Sequence, residues 1–180
     1  MESSAPNVPA FEHLVLSHLD AAYNLARWLL HNDQDAQDAV QEASLRAFRA
    51  FGRFRGADGR AWLLMIVRNV CYTELRQRRR EPVAEPFDDV AHGSTEDLAE
   101  ARAFAWQETN GERLRQALER LPAEFREVIV LHEIEGLAYR EIAALAEIPL
   151  GTVMSRLARA RQKLQGELLE LKGKESSHGL

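Results

Sequence analysis

The sequence has a single cysteine, few aromatic residues and no long apolar run, and these shortages exclude whole classes of protein. Cys71 is alone among 180 residues, so neither an internal disulfide nor a cysteine-based zinc site can form. His132-Glu133 begins like a zinc-protease motif, but Gly136 stands where the second histidine is required. No apolar stretch approaches the roughly 20 residues that span a bilayer, and no signal peptide is evident. We therefore expect a soluble cytoplasmic protein that holds no metal or other cofactor.

The charge is mildly acidic overall but strongly segregated along the chain. A formal net charge of −5 argues against a nucleic-acid binder, because neutralising phosphates requires clustered lysine and arginine. However, acidic residues gather at 33–42 and 81–108, whereas basic residues gather at 76–80 and 156–163. This segregation keeps nucleic-acid binding open for the basic segments.

Helical periodicity dominates the chain, and strand signals are nearly absent. Apolar spacing predicts helices at about 11–30, 34–51 and 61–75, with Asn32-Asp33 as a cap before the second helix. Glycines at 52, 56 and 59 mark a flexible connection before the third. We predict an all-α fold of two small helical domains joined by a flexible acidic linker. Their bounds are 10–80 for a three-to-four-helix bundle, 81–111 for the linker and 112–171 for the second domain.

The second domain has the layout of a helix-turn-helix. A helix is expected from Phe125 to Ile134 with Gly136 as its C-cap signal, then a short helix over 139–146. Glu147-Ile148-Pro149 forms a tight turn before a long basic helix from Leu150 to about Leu169. A short helix, a tight turn and a longer basic helix are typical of a DNA-binding unit.

Projecting the long helix at 3.6 residues per turn separates an inward from an outward side. Val153, Leu157, Ala160 and Leu164 fall on the inward side, and Ser155, Ala158, Arg159 and Gln162 on the opposite one. Met154 and Arg161 lie along one flank. No acid occurs between Ile148 and Gly166. The alternative is a solvated basic face on an ordinary bundle helix, but the turn and the lack of acids together favour DNA binding.

Side-chain chemistry assigns roles within this helix. The amides around Gly151-Thr152 and the Thr152 hydroxyl suit a phosphate, because helix N-termini bind anions. Ser155 and Arg159 are best placed for base edges, since arginine pairs with guanine in the major groove. Arg156 and Lys163 are interpreted as phosphate contacts.

The first domain carries two further candidate surfaces. The acids from Asp33 to Glu42 either stabilise a helix N-terminus or engage a basic partner, and the residues alone leave both interpretations open. Phenylalanines and Trp62 interleave with arginines around 48–68, a composition that suits single-stranded DNA. Phe48 and Trp62 are expected in the core, and Phe54 is the exposed candidate. The arginines at 76–80 contact phosphates or form a solvated helix end, and Cys71 is expected to be buried.

Together these residues resemble the extracytoplasmic-function (group IV) class of bacterial RNA polymerase sigma factors. The resemblance covers about 10–80 and 112–165 in the order typical of the family. The matching stretches are Asp35–Phe48, Arg60–Leu63 with Arg68-Asn69, Leu121–Val128, Tyr139–Ala143 and Gly151–Arg161. A stray helix-turn-helix would match only the later stretches.

The resemblance implies a non-enzymatic subunit that directs core RNA polymerase to specific promoters and initiates transcription. Residues 10–80 resemble region 2, which docks on the clamp helices of the largest polymerase subunit and melts the −10 element. Residues 112–171 resemble region 4, which recognises the −35 element and touches the polymerase flap. The resemblance implies three sets of site residues: for docking, Asp35, Asp38, Gln41, Glu42 and Leu45; for the −10 element, Phe54, Arg55, Arg60, Arg68, Asn69 and Arg76; for the −35 element, Thr152, Ser155, Arg156, Ala158, Arg159 and Lys163.

Two further properties follow from the resemblance. The family is usually controlled by release from an anti-sigma factor, although no residue here identifies one. Many members carry arginine or lysine at the position of Met154, so a shifted −35 preference is expected. The rival hypotheses are a dimeric helix-turn-helix regulator that needs no polymerase, an all-helical enzyme, for which no clustered His, Cys and carboxylate set is seen, and a pure interaction module.

Overall fold

A computed structural model describes residues 8–56, 58–79 and 111–177, and every regular element within these ranges is a helix. The predicted all-α class is therefore confirmed. The chain divides into two compact units. Apart from Gly111, the linker predicted at 81–111 lies outside the described residues. None of the helices in the described ranges is both long enough and apolar enough to cross a membrane.

The first unit contains three helices, α1 (Val8–Leu30), α2 (Asp33–Phe51) and α3 (Gly59–Arg78). Asn32 caps α2 as predicted, because its side chain accepts a hydrogen bond from the Asp35 amide at 3.0 Å. Asp58 caps α3 in the same way through the Ala61 amide, so α3 begins two residues earlier than its apolar pattern indicated. In both connections of this unit, one short polar side chain thus fixes where the following helix begins.

Small residues let the three helices of this unit approach closely. Ala36, Ala43 and Ala47 of α2 are fully buried, opposite leucines of α1 and α3 that are also buried. At the start of α3, a Cβ on Gly59 would lie 2.5 Å from the Leu14 side chain, which explains a glycine there. Phe48 does not follow the expectation of a core residue, since it is 36% exposed at the end of the buried α2 row. Cys71 is buried, as predicted.

The second unit contains α4 (Gly111–Glu119), α5 (Ala123–Ile129), most of α6 (Tyr139–Ala146) and α7 (Leu150–Ser177). A π-helical segment, Val130–Ile134, continues α5 with the wider i to i+5 hydrogen-bonding pattern. The single helix predicted to end before Gly136 is therefore two kinds of helix in series. Gly136 ends it with a φ of 72°, the left-handed conformation that its C-cap signal indicated.

A buried arginine joins α4 to α5 across the Pro122 turn. Arg126 is 4% exposed, and its Nη1 donates to the carbonyl oxygens of Leu118, Glu119 and Leu121 at 3.0–3.3 Å. These carbonyls lie at the end of α4, where the helix leaves acceptors without intrahelical partners. One guanidinium thus satisfies a helix end that a proline prevents from continuing.

Replacing Arg126 tests this capping role. In Arg126→Met the side chain keeps its bulk but the carbonyls of Glu119 and Leu121 lose this donor, and that of Leu118 keeps only the Leu121 amide, so we expect the second unit to lose about 1–3 kcal/mol of stability. Amide hydrogen exchange followed by mass spectrometry should show faster exchange across 111–171 and unchanged exchange across 8–79. Arg120→Met, which removes an ion pair with Glu167 at the surface, should change the unfolding free energy derived from exchange by less than about 0.5 kcal/mol. Equal effects of the two substitutions would contradict the capping role.

Candidate nucleic-acid interface and acidic groove

Helix α7 is anchored along one side of its surface. Val153, Leu157, Ala160 and Leu164 are each 3% exposed or less, which places the predicted inward row in the core of the second unit. This core comprises buried residues of α4, α5, the π segment and α6, among them Leu118, Val128, Leu131 and Ile142, and α7 packs mainly on α4 and α5. The apolar row follows one stripe of the helix, and the opposite side is therefore available for other contacts.

The outward side of α7 carries hydroxyl, guanidinium and ammonium groups. Thr152, Ser155, Arg156, Ala158 and Arg159 are half-buried and Lys163 is exposed. The Ser155 hydroxyl donates to the Thr152 carbonyl oxygen at 3.1 Å, so its oxygen keeps lone pairs that can accept a further hydrogen bond. Met154, on the neighbouring flank, is 48% exposed. Arg161, predicted on that same flank, instead contacts Glu133 and has a side chain only 10% exposed.

The turn before α7 contains a residue in an unfavourable backbone conformation. Glu147 has a φ of 56°, which is uncommon for any residue other than glycine, asparagine or aspartate. The Ile148 amide donates to the Ala143 carbonyl at 3.1 Å, and the amides of Thr152 and Val153 donate to the Pro149 carbonyl. These bonds close the turn tightly and fix where α7 begins.

The loop between α2 and α3 holds an aromatic cluster. The Phe54 ring stacks on Trp62 with centroids 4.5 Å apart, and Phe51 lies against both rings. Phe54 is half-buried whereas Phe48 is 36% exposed, so the prediction that Phe54 is the better exposed of the two is wrong: its second neighbour in the loop, Gly56, and the Trp62 indole both cover it. Arg55 folds back, and its Nη1 donates to the carbonyls of Gly52 and Phe54. The loop is thus built around its own aromatic stack.

The outer side of α3 continues this surface. The Arg68 guanidinium lies 4.5 Å from the centre of the Tyr72 ring, and Arg76 donates to the Tyr72 carbonyl. Arg60 and Arg68 are half-buried, whereas Asn69 and Arg76 are exposed. The side chains at 68, 72 and 76 recur every four residues, so they form one row along the helix. Cationic and aromatic groups alternate along this row, as in surfaces that bind single-stranded nucleic acid.

An acidic groove runs between α2 and α3, with a volume of about 280 Å³. Ala39 and Val70, both buried, contribute to its lining. The remaining lining side chains are polar and mostly acidic: Asp35, Asp38, Glu42, Arg46, Thr73, Glu74 and Gln77. The groove brings together three of the five residues assigned to docking, whereas Gln41 and Leu45 are exposed outside it.

Two features of this groove were not predicted from the sequence. The α3 residues Thr73, Glu74 and Gln77 share it, and their helical spacing with Val70 is the signal that would have placed them on one side of α3. Arg78 was interpreted as a phosphate contact or solvated end, but it pairs with Asp35 at 2.8 Å and with Glu74 at 3.0 Å. This pairing ties the end of α3 to the start of α2.

The described parts of the chain hold no cluster of three or more His, Cys, Asp or Glu side chains suited to a metal ion. A carboxyl group with a strongly lowered pKa lies elsewhere, at the start of α4. Hydrogen bonds from Arg115 and Gln116 lower the pKa of the exposed Glu112 to about 2. This hydrogen-bond network lies within α4 and includes none of the residues of the surfaces described above.

Comparison with known proteins accounts for both units. The family model for sigma-70 region 2 matches residues 14–81, and that for sigma-70 region 4 matches residues 111–164. The chain is 37% identical over 164 residues to the ECF RNA polymerase sigma factor SigE of Mycolicibacterium smegmatis, covering 89% of this chain and 62% of that relative, which is less than two thirds of its length. It is 34% identical over 173 residues to the RNA polymerase sigma-H factor of Pseudomonas aeruginosa, covering 90% of this chain and 88% of that one.

Solved structures give the same result. The sigma factor RpoE from Bartonella quintana, in complex with the anti-sigma factor NepR, matches with a TM-score of 0.68 and 30% identity over 89% of this chain and 97% of that one. CnrH, in complex with the cytosolic domain of CnrY, matches with a TM-score of 0.62 and 29% identity over 92% and 90%. The chain therefore belongs to the extracytoplasmic-function family of RNA polymerase sigma factors, the subunits that direct RNA polymerase to promoters.

Glycine at position 147 tests the strain in the turn before α7. Glycine adopts a positive φ without steric cost, but it also gives the unfolded chain more conformational entropy to lose on folding. After this cost is subtracted, Glu147→Gly should stabilise the second unit by up to about 1 kcal/mol. Glu147→Ala removes the carboxylate but keeps the strain, so it should not stabilise. Hydrogen exchange of the 139–164 amides distinguishes the two variants. Equal stabilisation by both would assign the effect to charge rather than to the backbone.

Proposed function

We propose that the chain reads the −35 element with the outward side of α7. The basic side of α7, which has no acid between Leu150 and Gly166, is the observation that supports this proposal, because a row of buried apolar residues holds the opposite side in the core. Ser155 and Arg159 meet base edges, and Ala158 between them lies in close contact with the DNA major groove. Thr152, Arg156 and Lys163 hold the phosphates on either side and fix the register of the helix. Met154 supplies an apolar flank, which favours a thymine methyl over a phosphate or a guanine edge.

The −10 element is bound and melted by the first unit in this proposal. The stack of Phe54 on Trp62 offers an aromatic surface next to a loop that a displaced base can enter. Arg60, Arg68, Asn69 and Arg76 lie along or beside the outer side of α3 and hold the separated strand by its phosphates and base edges. Arg55 contributes by keeping the loop closed through its two carbonyl contacts, in addition to its charge.

The acidic groove and its rim dock on core RNA polymerase. Asp35, Asp38 and Glu42 present carboxylates, and Gln41 and Leu45 extend the surface along α2. A negative groove with two apolar residues, Ala39 and Val70, in its lining fits a basic amphipathic helix, which is how the clamp helices of the largest subunit would bind. The second unit contacts the polymerase flap, so each unit holds both DNA and polymerase.

Regulation and location follow from the same family membership. The structural relative RpoE is bound to an anti-sigma factor, and we propose that a protein of that kind sequesters this chain until a signal releases it. The chain has no catalytic activity of its own and acts in the cytoplasm, where the polymerase transcribes the chromosome.

Run-off transcription from a genomic promoter library with core polymerase is the direct test of this function. Initiation from a restricted set of promoters, dependent on added chain, supports the proposal. Stable binding to core polymerase without initiation on any promoter would contradict it.

Separate substitutions in the two units should divide the functions. Arg159→Ala should lower discrimination between a cognate and an altered −35 element by roughly 10-fold, the effect expected for one good base contact, with core binding unchanged. Asp38→Asn and Glu42→Gln should weaken core binding equally on every promoter. Arg140→Ala, which removes an exposed arginine of α6, serves as the matched control for lost charge. Equal losses on all promoters from the α2 and α7 variants would contradict the division.

Removing the Phe54 ring should impair melting rather than duplex binding. In Phe54→Ala the stack on Trp62 is lost, and base stacking contributes about 1–3 kcal/mol per base, so open-complex formation should fall roughly 10-fold or more. A template with a pre-melted −10 region should restore initiation, because strand separation is then already complete. Phe11→Leu, which alters a phenylalanine buried elsewhere in the same aromatic region, controls for repacking. Failure of the pre-melted template to restore initiation would assign Phe54 a structural role only.

A further inference from the structure

The second unit contains a charged pair enclosed within the helix-turn-helix. Nε of Arg161 donates to Oε1 of Glu133 at 3.0 Å, and Nη2 of the same guanidinium contacts the same oxygen. Only 10% of the arginine side chain and 4% of the glutamate side chain are exposed. The partners lie 28 residues apart, one on α7 and one on the π-helical segment.

Such a pair is an expensive way to hold two helices together. Removing two charges from water costs several kcal/mol, and apolar residues of the same volume often stabilise a protein as well or better. What an ion pair adds over apolar contact is direction, because a guanidinium must meet a carboxylate in a narrow range of angles and distances. The pair therefore constrains how α7 is oriented more than how tightly it is held.

The apolar contacts of α7 leave one motion poorly controlled. Val153, Leu157, Ala160 and Leu164 belong to a row of buried aliphatic side chains, and because apolar contacts are non-directional they set the rotation about the helix axis less sharply than a hydrogen-bonded pair does. The surface of a helix lies roughly 5–6 Å from its axis, so a rotation of about 20° moves an outward side chain by about 2 Å. A shift of that size exceeds the range over which a hydrogen bond to a base edge survives. Arg161, at the edge of the apolar row, is placed to prevent such a rotation.

The π-helical segment gives Glu133 a fixed position. The Glu135 amide donates to the Val130 carbonyl at 2.9 Å, closing the wide turn, and the Leu137 amide donates to the Leu131 carbonyl at 2.9 Å. His132, beside Glu133, contacts the Leu137 carbonyl through Nδ1 at 2.8 Å. A wide turn changes the directions in which side chains leave the helix after it. The backbone around Glu133 is thus held from several sides, and its carboxylate is a rigid reference for α7.

We infer that Glu133 and Arg161 are positioning residues that set the rotation of α7 and thereby the −35 specificity, although neither touches a base. This inference rests on the proposed function of α7 in reading the −35 element. It assigns Arg161 an internal role within the basic run 156–163, and it makes Glu133, which lies outside the recognition helix, a determinant of promoter choice.

A doubly apolar variant separates orientation from stability. In Glu133→Met/Arg161→Met both charges are removed together, so neither member of the pair is left charged and buried, and the unit should stay folded, as hydrogen exchange of residues 111–171 will verify. The full-length variant is assembled with core polymerase, and run-off transcription is compared on a promoter with its −35 element intact or replaced. We expect this discrimination to fall about 10-fold. Initiation on a pre-melted template lacking the −35 element should be unchanged.

Matched variants separate orientation of α7 from loss of charge and from direct DNA contact. Arg120→Met/Glu167→Met removes a more exposed pair that also joins α7 to a neighbouring segment, and it should leave discrimination unchanged. Glu133→Gln keeps Arg161 and should also lower discrimination, whereas a direct contact of Arg161 with DNA predicts that it would not. Arg161→Lys keeps the charge but not the angled pair of donors, and should restore discrimination only in part.

Three results would overturn the inference. The first is full discrimination in the folded double-methionine variant, and the second is full discrimination in Glu133→Gln. The third is an equal loss on templates with and without a −35 element, which would make the pair merely structural. Failure of the unmodified chain to initiate on any promoter would instead overturn the proposed function, so the two failures are distinguishable.

Discussion

The attachment of α7 by a single stripe of buried apolar residues is the constraint on which the second unit depends. Because Val153, Leu157, Ala160 and Leu164 bury only one side of the helix, the other can carry cations and hydroxyls without disturbing the core. Burial of one side alone also creates a requirement, because a helix held by aliphatic contacts on one side needs other contacts to fix where it begins and how it is rotated about its axis. The closed turn at Glu147–Pro149 fixes the start. The ion pair between Glu133 and Arg161 is a directional and nearly buried contact to α7, and it constrains the rotation.

The first unit solves a different problem, which is to present two surfaces of opposite charge on three helices. The acidic groove and the aromatic, basic outer row share α3, whose residues alternate between them with the helical period. Ala36, Ala43 and Ala47 allow α2 to lie close to its neighbours, so the core needs little volume and most long side chains remain at the surface. The pair between Arg78 and Asp35 sits where the acidic surface ends. Its cation lowers the negative charge there and keeps the ends of α2 and α3 together.

Periodicity and cap residues were sufficient to predict most of the helices, because both signals are local. Asn32, Gly136 and the inward row of α7 are where the sequence placed them. Three features were not predicted: the widened turn over Val130–Ile134, the burial of Arg161 by Glu133 and the cover over Phe54. The first is a local change of backbone hydrogen bonding, and in the other two a side chain is positioned by a partner that hydropathy does not reveal. Only the α2 side of the acidic groove was predicted, because its acids lie close together in the sequence. Thr73, Glu74 and Gln77 join them only when α3 packs against α2. The roles of the individual site residues stay predictions.

The burial of Cys71 has a practical consequence for studying how the chain moves on its promoter. The thiol is the only one in the sequence, and at 0% exposure it is shielded from maleimide reagents while the fold is intact. A cysteine introduced at an exposed position outside the proposed docking and DNA-contacting residues, such as Glu170 on α7 or Asp20 on α1, would therefore be the sole reactive thiol in the folded chain. Fluorescent or spin labels could then be attached to either unit in the otherwise unaltered protein, without first removing a native cysteine from the core.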